Sequence, residues 1–200
     1  QTPITGAAGT DALVSGDLVI NSVAVGASSG DADTSSTAYA SSSSIAKAAA
    51  INDVSGSTGV TATANINTAE GTLVADAAAL VAATDIDING QTFSLSKGAT
   101  GDATADLAAA AATINEKSGA TGVVATVVEM DGGSRIDLTA EDGRNITIVG
   151  AAAGTFGLAT GLGTTGGAAT SGNTYTGDIT LGSIDGSDIN IATSTGDIDN

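Results

Sequence analysis

No histidine and no cysteine occur anywhere in the 200 residues. Without cysteine there are no disulfides, no thiolate metal ligands and no thiol nucleophile. Without histidine, Ser-His-Asp and Cys-His catalysis and imidazole metal sites are excluded together. Tryptophan is also absent, and the aromatics reduce to Tyr39, Phe93, Phe156 and Tyr175. Any core must therefore be filled by Ala, Val, Leu and Ile. Pro3 is the one proline, so turns depend on the 28 glycines.

Positive charge is scarce too. Five Lys and Arg face 22 Asp and Glu, a net charge of −17. Such a surface repels polyanions, which argues against nucleic acid as a partner. Anionic membrane surfaces are disfavoured for the same reason, while solubility and mutual repulsion are favoured. No apolar run reaches the about 18 residues a spanning helix needs, so no membrane segment is expected. The lack of cysteine leaves the compartment open. Gln1 opens the chain with neither an initiator Met nor a signal-peptide pattern, which reads as an excised fragment or a processed product.

What is present is a repeat. In its clearer copy, Asp85-Ile86-Asp87-Ile88 alternates polar and apolar residues and reaches the turn pair Asn89-Gly90. Gln91-Thr92-Phe93-Ser94-Leu95 alternates again, a hairpin signal with a two-residue turn. Asp102-Ala103-Thr104 supplies a helix N-cap region. An Ala-rich helix follows from Leu107 to Lys117, with Leu107, Ala111 and Ile114 on one face and Gly119 as its stop. Strands are expected from Thr121 to Val127, from Arg135 to Thr139 and from Asn145 to Val149. Gly132-Gly133 and Asp142-Gly143 are the turns between them. The unit reads ββ-α-βββ.

The other copy is interrupted. Asp17 to Ser22 matches Asp85 to Gly90, and Val23 and Val25 continue its hairpin. Ser41 to Ser44 precede a helix expected from Ile45 to about Val54, ended by Gly56. Ile51-Asn52 matches Ile114-Asn115, and Thr58-Gly59-Val60 matches Thr121-Gly122-Val123, both 63 positions apart. The final hairpin is missing after Thr63 and returns at the far end. Ile179-Thr180-Leu181, Asp185-Gly186 and Asp188 to Ile191 match Ile136 to Leu138, Asp142-Gly143 and Asn145 to Ile148, all offset by 43.

The expected fold is α+β. Two similar small domains each pack an antiparallel sheet on one Ala-rich helix, the second inserted into the first. Residues 1–70 plus 171–200 form the first domain and residues 71–170 the second. Insertion at a loop tip is well tolerated when the ends stay close. The Gly/Ala/Thr-rich stretch from Thr155 to Gly172 reads as a return linker or irregular surface.

Chemical motifs are few. Ser44-Ile45-Ala46-Lys47 has the S-x-x-K spacing of serine acyl enzymes, but the partner motifs S-D-N and K-T-G are missing, and Ser44 suits a helix N-cap. The aspartates fall in alternating strands or Gly turns, with few aromatics to hold a sugar, so a solvated face is expected and not a glycosidase pair. Asp185-Gly186-Ser187-Asp188, Asp131-Gly132-Gly133 and Asp31-Ala32-Asp33 could offer oxygen to Ca²⁺, yet none has EF-hand spacing and Asp-Gly is ordinary turn chemistry. Asn145-Ile146-Thr147 fits an N-glycosylation triplet, inside an expected strand. These residues give no catalytic, cofactor-binding or metal-ligating assignment.

Taken together, the recurring pieces resemble bacterial flagellin. They are Ile88-Asn89-Gly90, Ile114-Asn115, Thr121-Gly122-Val123 and Leu138-Thr139-Ala140-Glu141-Asp142-Gly143-Arg144. The likeness is to repeat motifs of the flagellin central region, and it covers most of the chain twice. The first copy departs from it at Ser22, where the motif has glycine, and at Ser187, where it has arginine. The resemblance implies the surface-exposed outer domains of a filament subunit: a structural, extracellular motility protein and not an enzyme, with no cofactor. The zinc-protease motif of some flagellins needs histidines this chain lacks. Its expected partners are neighbouring flagellin subunits, with surface glycans on the Ser/Thr stretches Ser28 to Ser44 and Thr155 to Thr176. Neither end shows the heptad pattern that builds a filament core, so the isolated chain is expected to be monomeric. The alternative is an outer domain of a filament cap, hook-associated or adhesin-type binding protein.

Overall fold

The computed structural model of the chain describes residues 4–6, 11–75, 83–96, 102–150 and 173–193. These form a mixed α/β protein of mostly antiparallel sheets with few helices. Contacts divide it into two compact units. One is Gln1–Asn67, Glu141–Asn145 and Tyr175–Asn200; the other is Thr68–Ala140 and Ile146–Thr174. The expected linker from Thr155 to Gly172 lies outside the described residues, as does Phe156.

In the first unit, β1 (Ile4–Gly6) begins the chain's strands, and β2 (Leu18–Ile20) and β3 (Val23–Ala24) make a tight hairpin. Its turn residues Asn21 and Ser22 both have positive φ, 49° and 68°. That is the primed geometry that matches strand twist, although Ser22 carries a Cβ into a region that favours glycine. Helix α1 (Ser44–Asp53) follows, then the single turn α2 (Ser55–Thr58) and β4 (Val60–Ala64). The last described strands, β12 (Ile179–Ser183) and β13 (Ile191–Thr193), return here. Strand β12 lies between β1 and β4, with Leu181 opposite Ala62, and β13 pairs with β2, with Ile191 opposite Ile20. Ile20, Val25, Ala50, Ile51, Val60 and Leu181 gather into the core. Each fully buried Ile or Leu contributes about 1.5–3 kcal/mol.

The second unit contains β5 (Asn67–Ala69, which starts on the last residue of the first), β6 (Ala83–Ile88) and β7 (Gln91–Ser96). Next come α3 (Ala103–Asn115), the single turn α4 (Ser118–Thr121), β8 (Val124–Met130) and β9 (Gly133–Ala140). Strands β10 (Ile146–Gly150) and β11 (Asn173–Tyr175, whose last residue belongs to the first) complete it. Asn89 and Gly90 turn β6 into β7 with φ of 48° and 78°. Asp102 caps α3 as expected, accepting from the Thr104 and Ala105 amides. The face of Leu107, Ala111 and Ile114 is buried. Deep positions are held by Ile86, Ile88, Ile136 and Leu138.

Four expectations need correction. Each unit holds two small sheets, not one: β1-β12-β4 and β13-β2-β3 in the first, β11-β10-β6-β7 and β5-β9-β8 in the second. The cause lies at the D-G turns. Asp142-Gly143 turns the chain without closing a hairpin, and β10 leaves β9 to pair with β6. Asp185-Gly186 does the same, sending β13 to β2. Second, Gly56 and Gly119 do not stop the helices. Each sits inside the extra turn, and the left-handed residues are Gly59 and Gly122, φ 68° and 70°. Third, Thr121 is therefore helical and the strand starts at Val124. Fourth, the cap of α1 is Ser43, whose hydroxyl accepts from the Ala46 amide at 3.1 Å; Ser44 is already helical.

Candidate functional site

The S-x-x-K pair is the first place to look for chemistry. Ser44 is fully buried, and its Oγ donates to the Gly143 carbonyl at 2.9 Å. Its proton is committed to a main-chain acceptor instead of a base. Lys47 is also buried in α1, and burial pulls its ammonium pKa below the ordinary value, with Asp11 offsetting part of that. Nothing in this arrangement activates a nucleophile.

The acidic motifs turn out to be loop-builders. Asp33 is buried, and its Oδ1 accepts from the Ser35 and Ser36 amides at 2.8 and 3.0 Å. Burial alone would raise its carboxyl. Hydrogen bonds from the Ser36 and Ser43 hydroxyls and from those two amides outweigh it and hold the group below the usual range. Asp185 accepts from the Ser187 amide at 2.9 Å and the Ser183 hydroxyl at 3.1 Å, which lowers its pKa in turn. Asp142 holds Arg144 through both carboxylate oxygens. Burial there is again outweighed, and Asp142 stays below the ordinary carboxylate range. Arg135 is shared by Asp137 at 2.9 Å and Glu70 at 3.2 Å. Among the described residues, no three acidic side chains gather as a metal cage.

Asn145 is no acceptor for a glycan. It is fully buried, its Nδ2 donates to the carbonyls of Ala38 and Tyr39, and its amide donates to Ser36 Oγ. In the stretch Ser28 to Ser44, the exposed Ser and Thr side chains are Ser29, Thr34 and Thr37. Only Thr174, Tyr175 and Thr176 of the Thr155 to Thr176 stretch's hydroxyls are described, none of them exposed.

The distinctive geometry of the molecule lies in its asparagines. Asn52 brackets Ala62, donating to its carbonyl at 2.9 Å and accepting from its amide at 2.8 Å. Asn115 brackets Ala125 in the same way, at 2.9 and 2.7 Å. Asn21, in the first hairpin turn, donates to the Thr58 carbonyl at 2.8 Å and accepts from the Asn190 amide at 2.9 Å. Asn89, in the second, donates to the Thr121 carbonyl at 3.0 Å and accepts from the Thr147 amide at 2.8 Å. Thr58 and Thr121 each cap the next strand, their Oγ1 accepting from Val60 and Val123 at 3.1 Å. Strand registers agree as well. Leu181 faces Ala62 as Leu138 faces Ala125, and Ile191 faces Ile20 as Ile148 faces Ile88.

The sequence presents these asparagines as repeat markers, and Asn89 as a turn residue, without assigning their side chains a task. The available signal was their recurrence after isoleucine: Ile20-Asn21, Ile51-Asn52, Ile88-Asn89 and Ile114-Asn115. Each buries the isoleucine and places the amide at a strand end or edge, where it can satisfy backbone groups that regular pairing leaves open. Such an arrangement rigidifies two small scaffolds; it offers no reacting group. No known protein family matches the chain, and no curated protein matches it.

Proposed function

We propose that the chain is the surface-exposed outer part of a bacterial flagellin, a structural protein of the filament with no catalytic role. The single observation that carries this reading is the asparagine framework, found twice on motif residues that resemble the flagellin central region. Each copy joins an I-N hairpin turn, a helix ending in I-N and a T-G-V strand start. We read the copies as one module and its duplicate, with the later spliced between two strands of the earlier. The equal registers of β12 on β4 and β9 on β8 support that reading. So does the return of β12 and β13 to strands of the first 64 residues.

In this reading the function is geometric. Two stiff acidic modules project from an extracellular filament, meet neighbouring subunits and present hydroxyls such as Ser29, Thr34 and Thr37 for glycans. The net charge of −17 keeps adjacent filaments apart by repulsion.

The test is immunogold electron microscopy with an antibody raised against the purified chain. Gold along the whole filament is the expected result. Gold confined to the filament tip or to its junction with the hook assigns the chain to a cap or junction protein. Cells whose flagella stay unlabelled sink the proposal.

A further inference from the structure

We infer that Asn89 is a deamidation site held shut by the fold, one that reacts with its own Gly90 amide only when the β6–β7 turn opens. Asn89-Gly90 is the one Asn-Gly pair in the chain. The chemistry needs hydroxide and water but no enzyme. Hydroxide removes the Gly90 amide proton, and the nitrogen attacks Asn89 Cγ. The N–Cγ bond forms, the Cγ–Nδ2 bond breaks, and ammonia leaves with a proton taken from water. Water then opens the resulting succinimide at either carbonyl, giving aspartate or its isoaspartyl isomer. Glycine suits the step because no Cβ crowds the attacking nitrogen.

Three contacts oppose the first bond. Asn89 Nδ2 donates to the Thr121 carbonyl at 3.0 Å, and Oδ1 accepts from the Thr147 amide at 2.8 Å. The residue is 4% exposed, so these bonds are made away from water, where they are stronger. Cγ is thereby tied between α4 and β10, and reaching the Gly90 nitrogen breaks both. The third contact lies on the nucleophile. The Gly90 amide donates to Asp87 Oδ1 at 2.8 Å. A carboxylate there favours the protonated amide and repels the anion that must form. Ring closure therefore waits for the turn to open, a local event with its own free energy.

Each opening that reacts is recorded permanently. Aspartate at 89 offers only acceptors, so it cannot donate to the Thr121 carbonyl and the clamp does not close as before. The isoaspartyl form adds a methylene to the main chain, inside a turn whose residues hold φ of 48° and 78°. The other copy supplies a contrast. Asn21 is clamped alike, by the Thr58 carbonyl and the Asn190 amide, but Ser22 follows it and its Cβ hinders ring closure. The second unit is thus the chemically vulnerable one. The inference rests on the clamp and is independent of the filament reading.

Peptide-mapping mass spectrometry tests it on the whole chain in mildly alkaline buffer, folded and in urea. In urea Asn89 should convert first, ahead of Asn21. In the folded chain it should convert at least about tenfold more slowly, because two buried hydrogen bonds must break first. Mass is the readout because aspartate isomerising at Asp142-Gly143 leaves it unchanged. Gly90→Ala should slow conversion in urea. Asp87→Ala should leave the urea rate as it was. It should speed the folded rate by more than its loss of global stability, read from the urea midpoint, accounts for. Equal wild-type rates, folded and in urea, overturn the proposal. So does another asparagine converting first in urea, or a Gly90→Ala chain converting as fast as wild type. An Asp87→Ala folded rate that follows the midpoint alone overturns it as well.

Discussion

Asn52 and Ala62 are locked together by a pair of hydrogen bonds, one in each direction, from the last turn of α1 to the edge of β4. Ala62 is nearly buried, so its amide and carbonyl have little access to water. Leaving buried main-chain groups unpaired costs about 1–3 kcal/mol each, less if water enters. Asn52→Ala should therefore destabilise the chain by about 2–3 kcal/mol. Asn52→Asp keeps the acceptor and loses the donor, and should fall between. Asn115→Ala should repeat the effect at Ala125. Urea unfolding followed by circular dichroism measures all three. An Asn52→Ala midpoint indistinguishable from wild type would remove the bracket from any account of stability.

The hairpin turns differ at one position, and the difference has a sign. Ser22 has φ 68°, while its counterpart Gly90 has φ 78°. A Cβ in the left-handed region costs about 1–2 kcal/mol. Glycine removes that strain but adds freedom to the unfolded chain worth about 0.4–1 kcal/mol. Ser22→Gly should thus stabilise by about 0.5–1 kcal/mol, and Gly90→Ala should destabilise by a similar amount. Opposite shifts in the melting temperature are the expected readout. Two shifts of the same sign would mean the turns are not equivalent.

Much of this was legible in advance because it is local. Asn89-Gly90 names its own turn, Asp102 its own cap, and Leu107, Ala111 and Ile114 one buried face. What escaped depends on distant partners. Ser43 and Ser44 have the same capping propensity; the Gly143 carbonyl, 99 positions away, claims the Ser44 hydroxyl. Asp142-Gly143 reads as a turn, yet the strands it joins belong to different sheets, since β10 finds its register against β6. Buried Asn145 looks from sequence like an ordinary strand residue, and only the carbonyls of Ala38 and Tyr39 explain it.

Acid should act through Asp33. Burial raises its carboxyl pKa, the Ser35, Ser36 and Ser43 hydrogen bonds lower it, and the net result lies below the unfolded value of about 3.9. A depressed carboxylate contributes stability in full above its unfolded pKa and loses it as pH falls through its folded pKa. Wild type should exceed Asp33→Asn in stability from about pH 5 upward, and the gap should shrink as pH falls below about 3.9. Comparing the two variants cancels the relief of general acidic repulsion, which acts on both. Chemical denaturation at pH 7 and near pH 2.5 measures the gap. A gap of equal size at both would show that Asp33 carries no linked proton.

Gly143 and Gly132 separate backbone strain from crowding. Both have positive φ, 79° and 88°, so alanine is strained at either. At Gly132 an added Cβ meets open space. At Gly143 it would lie 2.7 Å from the Asn65 carbonyl, 3.1 Å from Ala64 Cβ and 3.2 Å from Ser44 Oγ. The carbonyl and the helix-borne Ser44 cannot simply swing away, and the Ser44 bond to Gly143 would be disturbed with them. Gly132→Ala should cost about 1 kcal/mol from strain alone. Gly143→Ala should cost about 2–4 kcal/mol, because overpacking of a closed site adds to the same strain. Urea midpoints of the two variants give the contrast directly. Equal costs would mean that residues 141–145 do not lie against Asn65 and Ser44.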